Sequence, residues 1–274
     1  MKIIKKNKKI KIIVISIFIL LLLIGLYNGL KIRNYRIISE KITSPIRIVL
    51  ITDLHSCKYG EEEENLIQAV EEQNPDIIAL SGDIFDDEKA DTNTEYFLKA
   101  VADKYPCYYV TGNHEYYAGW KAYQDKIAIL EKYQITILNG MIENITIKNQ
   151  EITVCGVEDP VSGNFDKQFK QVQELLENNN HYKILLSHRP ELFENYVTAN
   201  FDLVLAGHAH GGQWRIPFIL NGLYAPDQGL FPKLAGGFYQ KENTTMIVSR
   251  GLARETTRIP RIYNQPELVV IDLE

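Results

Sequence analysis

Short apolar runs punctuate this chain, and each of the sharpest ones stops at glycine, aspartate, asparagine or histidine. Residues 46–51 are apolar or β-branched apart from Arg47 and predict a strand that ends in Thr52-Asp53-Leu54-His55. An acidic helix is predicted over residues 60–73, with Glu61 to Glu64 as its solvated first turn, and Asn74-Pro75 breaks it. Residues 76–80 predict a second strand, ending in Ser81-Gly82-Asp83. A helix over 94–104 and a third strand over 107–110 follow, and Thr111-Gly112-Asn113-His114-Glu115 closes that strand. Strands alternating with helices argue for parallel pairing and an α/β fold, whose ligand sites lie at the carboxyl ends of the strands.

The second half changes character before repeating the design. A helix over 120–134 leads to two runs, 145–148 and 151–157, that flank Asn149-Gln150 and read as a hairpin of a second, more antiparallel sheet. A helix over 167–178 precedes a fourth strand, 183–186, which ends in Ser187-His188-Arg189-Pro190. A helix around 191–198 leads to the fifth strand, 201–205, which ends in Ala206-Gly207-His208-Ala209-His210-Gly211-Gly212. Strands are also predicted near 246–248 and 268–271.

The N-terminus follows a different pattern. Lys2, Lys5, Lys6, Lys8, Lys9 and Lys11 precede an uncharged run over residues 12–30. As a helix that run would reach roughly 28 Å, close to the thickness of a hydrocarbon core. No small-residue cleavage site follows it, so it predicts an uncleaved single-pass anchor over a segment 1–44, with the catalytic body at 45–274. The basic start places the N-terminus in the cytoplasm and the body outside. Residues 1–47 hold eleven Lys/Arg against Glu40 alone, which leaves the remainder at a formal charge of −15. A body that acidic is a poor non-specific binder of nucleic acid, and no specific nucleic-acid binding is expected. Cys57, Cys107 and Cys155 form no framework and are expected to pack as small apolar residues.

Five of the six histidines, His55, His114, His188, His208 and His210, follow predicted strands, and only His181 sits in a loop. Together with Asp53, Asp83 and Asn113 they form a donor set of hard oxygen and borderline nitrogen without thiolate. Such a set suits Mn, Fe or Zn ions. There are more donors than one ion needs, and a carboxylate with two oxygens, Asp83, is the natural bridge between two.

The set of five blocks resembles the calcineurin-like metallophosphoesterases, from about residue 46 to the C-terminus. Gly211-Gly212-Gln213-Trp214, Pro226-Asp227-Gln228-Gly229, Ser249-Arg250-Gly251-Leu252 and Asn264-Gln265-Pro266-Glu267 are similar to the membrane-associated branch with bacterial phosphodiesterases of the YkuE and YaeI type. The resemblance implies a four-layer α/β sandwich of two mostly parallel or mixed sheets flanked by helices. It implies one divalent ion held by Asp53, His55, Asp83 and His210, and a second held by Asp83, Asn113, His188 and His208. His114 would be the catalytic imidazole, with Glu115 and Arg189 beside the site in supporting roles. Ala253 stands where the branch more often has glycine.

The implied activity is hydrolysis of a phosphodiester or pyrophosphate. Relatives that hydrolyse UDP-diacylglucosamine make a lipid-linked substrate one expectation. A phosphomonoesterase or protein phosphatase on the same scaffold, and a membrane-tethered binding protein, are the alternatives. Residues 214–239 are rich in aromatic and apolar side chains. They read either as a loop packed on the second sheet or as an amphipathic rim facing a bilayer or acyl chain.

Overall fold

The computed structural model describes residues 2–254 and 259–274, residues 2–8 and 10 by their backbone alone. The side chains of Lys2, Lys5, Lys6 and Lys8 therefore lie outside the described ones. Helix α1 (Lys2–Gly25) leads to strands β1 (Lys31–Ile37) and β2 (Ile46–Ile51). Then come α2 (Glu64–Glu71), β3 (Ile77–Ser81), α3 (Thr92–Ala102), β4 (Cys107–Val110), the single turn α4 (His114–Tyr117), α5 (Trp120–Lys132) and β5 (Thr136–Ile137). The second half holds β6 (Ile142–Ile147), β7 (Gln150–Gly156), α6 (Phe165–Leu175), β8 (Tyr182–Leu186), α7 (Phe193–Thr198) and β9 (Leu203–Ala206). A small ribbon, β10 (Tyr224–Ala225) with β11 (Gly229–Leu230), precedes β12 (Gly237–Lys241), β13 (Thr244–Val248) and β14 (Glu267–Leu273).

Two mixed six-stranded sheets result, in the orders β1-β14-β2-β3-β4-β5 and β12-β13-β9-β8-β7-β6. In the first, β2 to β5 run parallel, and β14 lies between β1 and β2, parallel to one and antiparallel to the other. In the second, β13, β9, β8 and β7 run parallel, with β12 and β6 antiparallel at the edges. Alternation along β2 sends Ile48 and Leu50 toward the second sheet, where they meet Ile184, Leu186 and Leu205. Val49 and Ile51 point the other way, to Leu66, Val70, Phe97 and Leu130 of α2, α3 and α5. On the outer face of the second sheet, Val172 and Tyr196 of α6 and α7 cover Leu185, Val204 and Met246. Helix, sheet, sheet and helix thus form four layers. Strands buried on both faces must be apolar throughout, which is why the sequence shows continuous runs there.

Strands and helices fall within a few residues of expectation, but the N-terminal segment differs. Helix α1 stops at Gly25, so the uncharged helical part, 12–25, extends roughly 21 Å. Among the described residues, no helix is long and apolar enough to cross a membrane. Tyr263 ends the helix: its backbone N–H donates to Gly25 O at 2.7 Å and its hydroxyl to Leu21 O at 2.6 Å. Its ring also lies 2.8 Å from where a Cβ on Gly25 would stand. Part of the segment 1–44 set apart from the body is a strand, Lys31–Ile37. β1 pairs with β14 from Lys31↔Glu267 to Ile37↔Leu273 and belongs to the body. Its polar alternation conceals it, since an edge strand keeps one side in solvent.

Two smaller corrections follow. Glu63 is buried, and its carboxylate accepts from the Tyr59 N–H at 2.8 Å, whereas Glu61, Glu62 and Glu64 are solvated as expected. The hairpin turns at Lys148-Asn149, one residue earlier than read, with φ of 50° and 64° as a type I′ turn requires. The three cysteines are buried and free of disulfides.

Because Ile184 is sealed between the sheets, Ile184→Ala should cost about 2–5 kcal/mol in denaturant unfolding. Phe218→Ser, on a fully exposed side chain, should stay within about 0.5 kcal/mol of the parent.

Candidate metal centre

All the expected site residues sit where parallel strands end. Asp53 and His55 follow β2, Asp83 follows β3, and Asn113 and His114 follow β4; His188 follows β8, and His208 and His210 follow β9. The carboxyl ends of both sheets therefore open onto one place. His181 is elsewhere, with Nε2 3.1 Å from Glu151.

The backbone turns tightly to aim these side chains together. Asp53, His55, Asp83, His208 and His210 all have φ between 45° and 65°, a region L-residues seldom occupy. Cross-links between loops hold them there. Asp53 N–H donates to Gly82 O at 3.0 Å, His55 N–H to Asp83 O at 3.0 Å, and Gly207 N–H to His188 O at 3.2 Å. Two motif glycines are needed for clearance: a Cβ at Gly112 would come within 2.2 Å of Asp83 Oδ1, and one at Gly207 within 2.5 Å of Asp53 Oδ2.

Asp83 is the hub. Its Oδ2 lies 3.0 Å from His188 Nε2 and 3.6 Å from His55 Nε2, and its Oδ1 accepts the His114 N–H at 2.9 Å. Asp53 Oδ1 accepts the His208 N–H at 3.0 Å and stands 3.6 Å from His210 Nε2. Among the described residues four groups of donors have ligand atoms within 4.8 Å of one another: Asp53–His55–Asp83–His210, Asp83–His188–His208, His55–Asp86–His114 and Glu191–His208–Asp227. Asp83 belongs to the first two, which are the two made of expected ligands.

The donor chemistry fits cations. Asp83 Oδ2, Asn113 Oδ1, His55 Nε2 and His188 Nε2 are all buried without a hydrogen-bond partner. His188 Nδ1 lies 2.8 Å from the carbonyl oxygen of Ser81, so that nitrogen carries the proton. Its Nε2 then faces a carboxylate oxygen at 3.0 Å. Two lone pairs at that distance repel unless a proton or a metal ion lies between them. Burial would pull both imidazoles down, but Asp83 and Asp53 raise His188 to about 10, and Asp86 with Asp83 raises His55 to about 9. His208 is pushed down to about 4 by burial and then by His188 and Arg189, and His210 well below its usual value by burial and His55.

A second layer positions these groups. The buried Glu115 carboxylate accepts four backbone N–H bonds, from Asp83, Ile84, Phe85 and Gly112, at 2.7–3.2 Å. Burial and the Asp83 charge push its pKa up to about 7 against the pull of those bonds. Arg189 forms a two-pronged pair with Asp159 and also meets His208 Nε2 at 2.9 Å. Sequence reading placed Glu115 and Arg189 in supporting roles but missed their partners. Asp86 Oδ2 lies 3.2 Å from His55 Nδ1, Asp87 Oδ1 lies 2.5 Å from His114 Nδ1, and Asp227 Oδ2 lies 2.8 Å from His208 Nε2. Asn264 Nδ2 donates to His210 O at 2.7 Å. The available signal for two of these was the acidic doublet Asp86-Asp87, three and four residues past Asp83.

The family model "Calcineurin-like phosphoesterase" matches residues 46–212. An uncharacterised metallophosphoesterase of Campylobacter jejuni is 28% identical over 97% of this chain and 69% of its own length. One from Aquifex aeolicus is 29% identical over 92% and 97%, and YkuE of Bacillus subtilis 26% identical over 83% and 79%. Among solved structures, the NAD nucleotidase of Haemophilus influenzae shares the fold with a TM-score of 0.51 at 15% identity, covering 76% of this chain and 45% of that one. TT1561 of Thermus thermophilus matches at 0.52 and 14% identity, over 77% and 92%. The chain belongs to the calcineurin-like phosphoesterases, a family of metal-dependent phosphoester hydrolases.

Metal ligation takes neutral imidazole, so a bound ion must displace protons from His55 and His188, whose pKa values lie near 9 and 10. Metal affinity should rise with pH between about 6 and 8, and calorimetry in buffers of different ionisation enthalpy should register proton release. A pH-independent affinity would contradict the raised values. Asp83→Asn should lose metal from both donor groups, read as metal content per chain after dialysis.

Proposed function

We propose that this calcineurin-like phosphoesterase is a phosphodiesterase with a two-ion centre, working at a membrane surface on a lipid-linked phosphodiester or pyrophosphate. The observation that carries the two-ion reading is that Asp83 stands in the two donor groups made of expected ligands, amid buried lone pairs that no protein hydrogen bond satisfies. Asp53, His55, Asp83 and His210 would hold one ion, and Asp83, Asn113, His188 and His208 the other; Mn, Fe and Zn all suit these donors. When bound, the ions supply Lewis acidity toward the phosphoryl oxygens and positive charge in a buried site.

The chain's own residues do the rest. Arg189 and Asp227, paired with each other, bracket His208 Nε2 at 2.9 and 2.8 Å and so fix its ring. Asp87 accepts a hydrogen bond from the Nδ1–H of His114 and so fixes the half-buried ring, which in its imidazolium form can give the Nε2 proton to a departing alkoxide. Glu115 fixes the loops of Asp83 and Asn113 relative to each other.

Membrane association is supported by α1, whose side chains from Ile12 to Ile24 are exposed and largely apolar. The basic residues at its start favour a location at the cell membrane with the catalytic body on the extracytoplasmic side. The same apolar surroundings support a lipid-linked substrate, of which UDP-diacylglucosamine is one.

The manganese-loaded chain should hydrolyse bis(p-nitrophenyl) phosphate, and Asp83→Asn should not. A clear preference for p-nitrophenyl phosphate would favour a phosphomonoesterase instead. His114→Ala should keep its metal but lose roughly 100- to 10,000-fold in kcat on alkyl diesters. The loss should be much smaller with p-nitrophenolate, which departs without a proton. Loss of metal in that variant would make His114 a ligand.

A further inference from the structure

Away from the donor groups, a cavity of about 960 Å³ lies between the end of α1 and the loop after His210. Its apolar side is formed by Leu23 and Ile24 on α1, by Tyr27 just after it, and by Phe218 and Ile219 opposite. Its polar side carries four cations, Lys31, Arg33, Arg215 and Arg250. Among the described residues, the one carboxylate paired with any of them is Glu267, at 3.6 Å from Arg33 Nε and 3.5 Å from Arg250 Nε. Both of those Nε atoms are buried without a hydrogen-bond partner. Arg215 donates to neutral groups, the Gly211 carbonyl at 3.2 Å and Asn221 Oδ1. Burial, and then Arg250, lower its pKa to about 10. A cavity holding four positive charges and one negative is electrostatically incomplete without an anion.

The rim says what carries that anion. Ile216 and Leu220 close a tight turn, with Leu220 N–H donating to Ile216 O at 2.8 Å and Ile216 N–H to Leu220 O at 3.1 Å. Phe218 at its tip has a φ of 66°, a conformation that a bulky side chain avoids, and its ring is fully exposed. Ile219 and the α1 side chains stand out beside it. Hydrocarbon at the mouth and uncompensated arginines within match an amphiphile with an anionic head.

We propose that this cavity is a binding site for an anionic phospholipid, its phosphate held by Arg33, Arg215 and Arg250 and its acyl chains lying along α1 and the Phe218–Ile219 turn. The proposal adds a lipid ligand, distinct from the substrate, to the membrane reading given above. Arg215 and Arg250 adjoin the loops of Gly211 and Gly251. The latter closes on Asp53, since a Cβ at Gly251 would lie 2.5 Å from Asp53 Cβ. Lipid seated here would therefore brace the backbone behind the metal centre.

The test is calorimetric titration of the full chain with monomeric dihexanoyl phosphatidylglycerol, dihexanoyl phosphatidylcholine and glycerol 1-phosphate. The glycerol lipid should bind at least about tenfold more tightly than the choline lipid, and Arg33→Gln and Arg215→Gln should each cost roughly fivefold of that preference. Arg215→Lys, which keeps the charge, should retain most of it and controls for folding. Equal affinities for the two lipids, or a preference that survives both glutamine substitutions, would overturn the proposal. So would glycerol 1-phosphate binding as tightly as the lipid, because the site would then serve free phosphate esters. Flotation with vesicles separates the two readings: a chain that binds the monomeric lipid but no vesicle keeps this site and loses the membrane assignment. Phe218→Ser with Ile219→Ser should weaken binding to neutral and anionic vesicles alike.

Discussion

One buried carboxylate gathers four backbone N–H groups, and the metal centre depends on that gathering. Glu115 reaches from the loop after β4 to the loop after β3, and its two oxygens take donors from both. Parallel strands end with unspent backbone donors, and burying such ends is costly unless acceptors are supplied. Here a side chain supplies them, so the loops can turn through left-handed conformations that ladder bonds would not allow. Asp83 can then stand between imidazoles from two sheets. Removing the Glu115 carboxylate would leave four buried N–H groups unmet at the point where the site demands most precision.

Around that bond the site is built in two shells of opposite character. The inner groups are deliberately unsatisfied: their lone pairs converge and have only each other. The outer groups each make at least one hydrogen bond. Asp159 holds Arg189, Arg189 and Asp227 hold His208, Asp87 holds His114, and Asn264 holds the His210 carbonyl. Each inner ring thus has one nitrogen committed to the protein or the orientation of its loop fixed, which keeps the other directed inward.

The inner shell was legible in the sequence because it follows a local rule: an apolar run sealed on both faces, then a donor within a few residues of its end. The outer shell is assembled from residues far apart in the chain, as when Asp159 meets Arg189 and Asn264 meets His210; Asp227 and Asn264 stood in recognised motifs, but nothing local named the residues they meet. The same reasoning explains the two ends of the body. Helix α1 stops at Gly25 because Tyr263, far along the chain, packs against it, and hydropathy cannot sense that contact. β1 was placed outside the body because its Lys-Ile-Arg-Asn-Tyr-Arg-Ile alternation is that of a strand edge in water, and its partner β14 lies at the other end of the chain. Glu63 looked like its solvated neighbours until Tyr59 was seen to donate to it.

The insertion of β14 between β1 and β2 also orders events during synthesis. The first two strands to leave the ribosome are not neighbours; the strand that joins them is the last of the fourteen to be made. Until it arrives, β2 has one bare edge and β1 has no partner at all. The loop carrying Asp53 and His55 therefore hangs from a half-paired strand throughout translation.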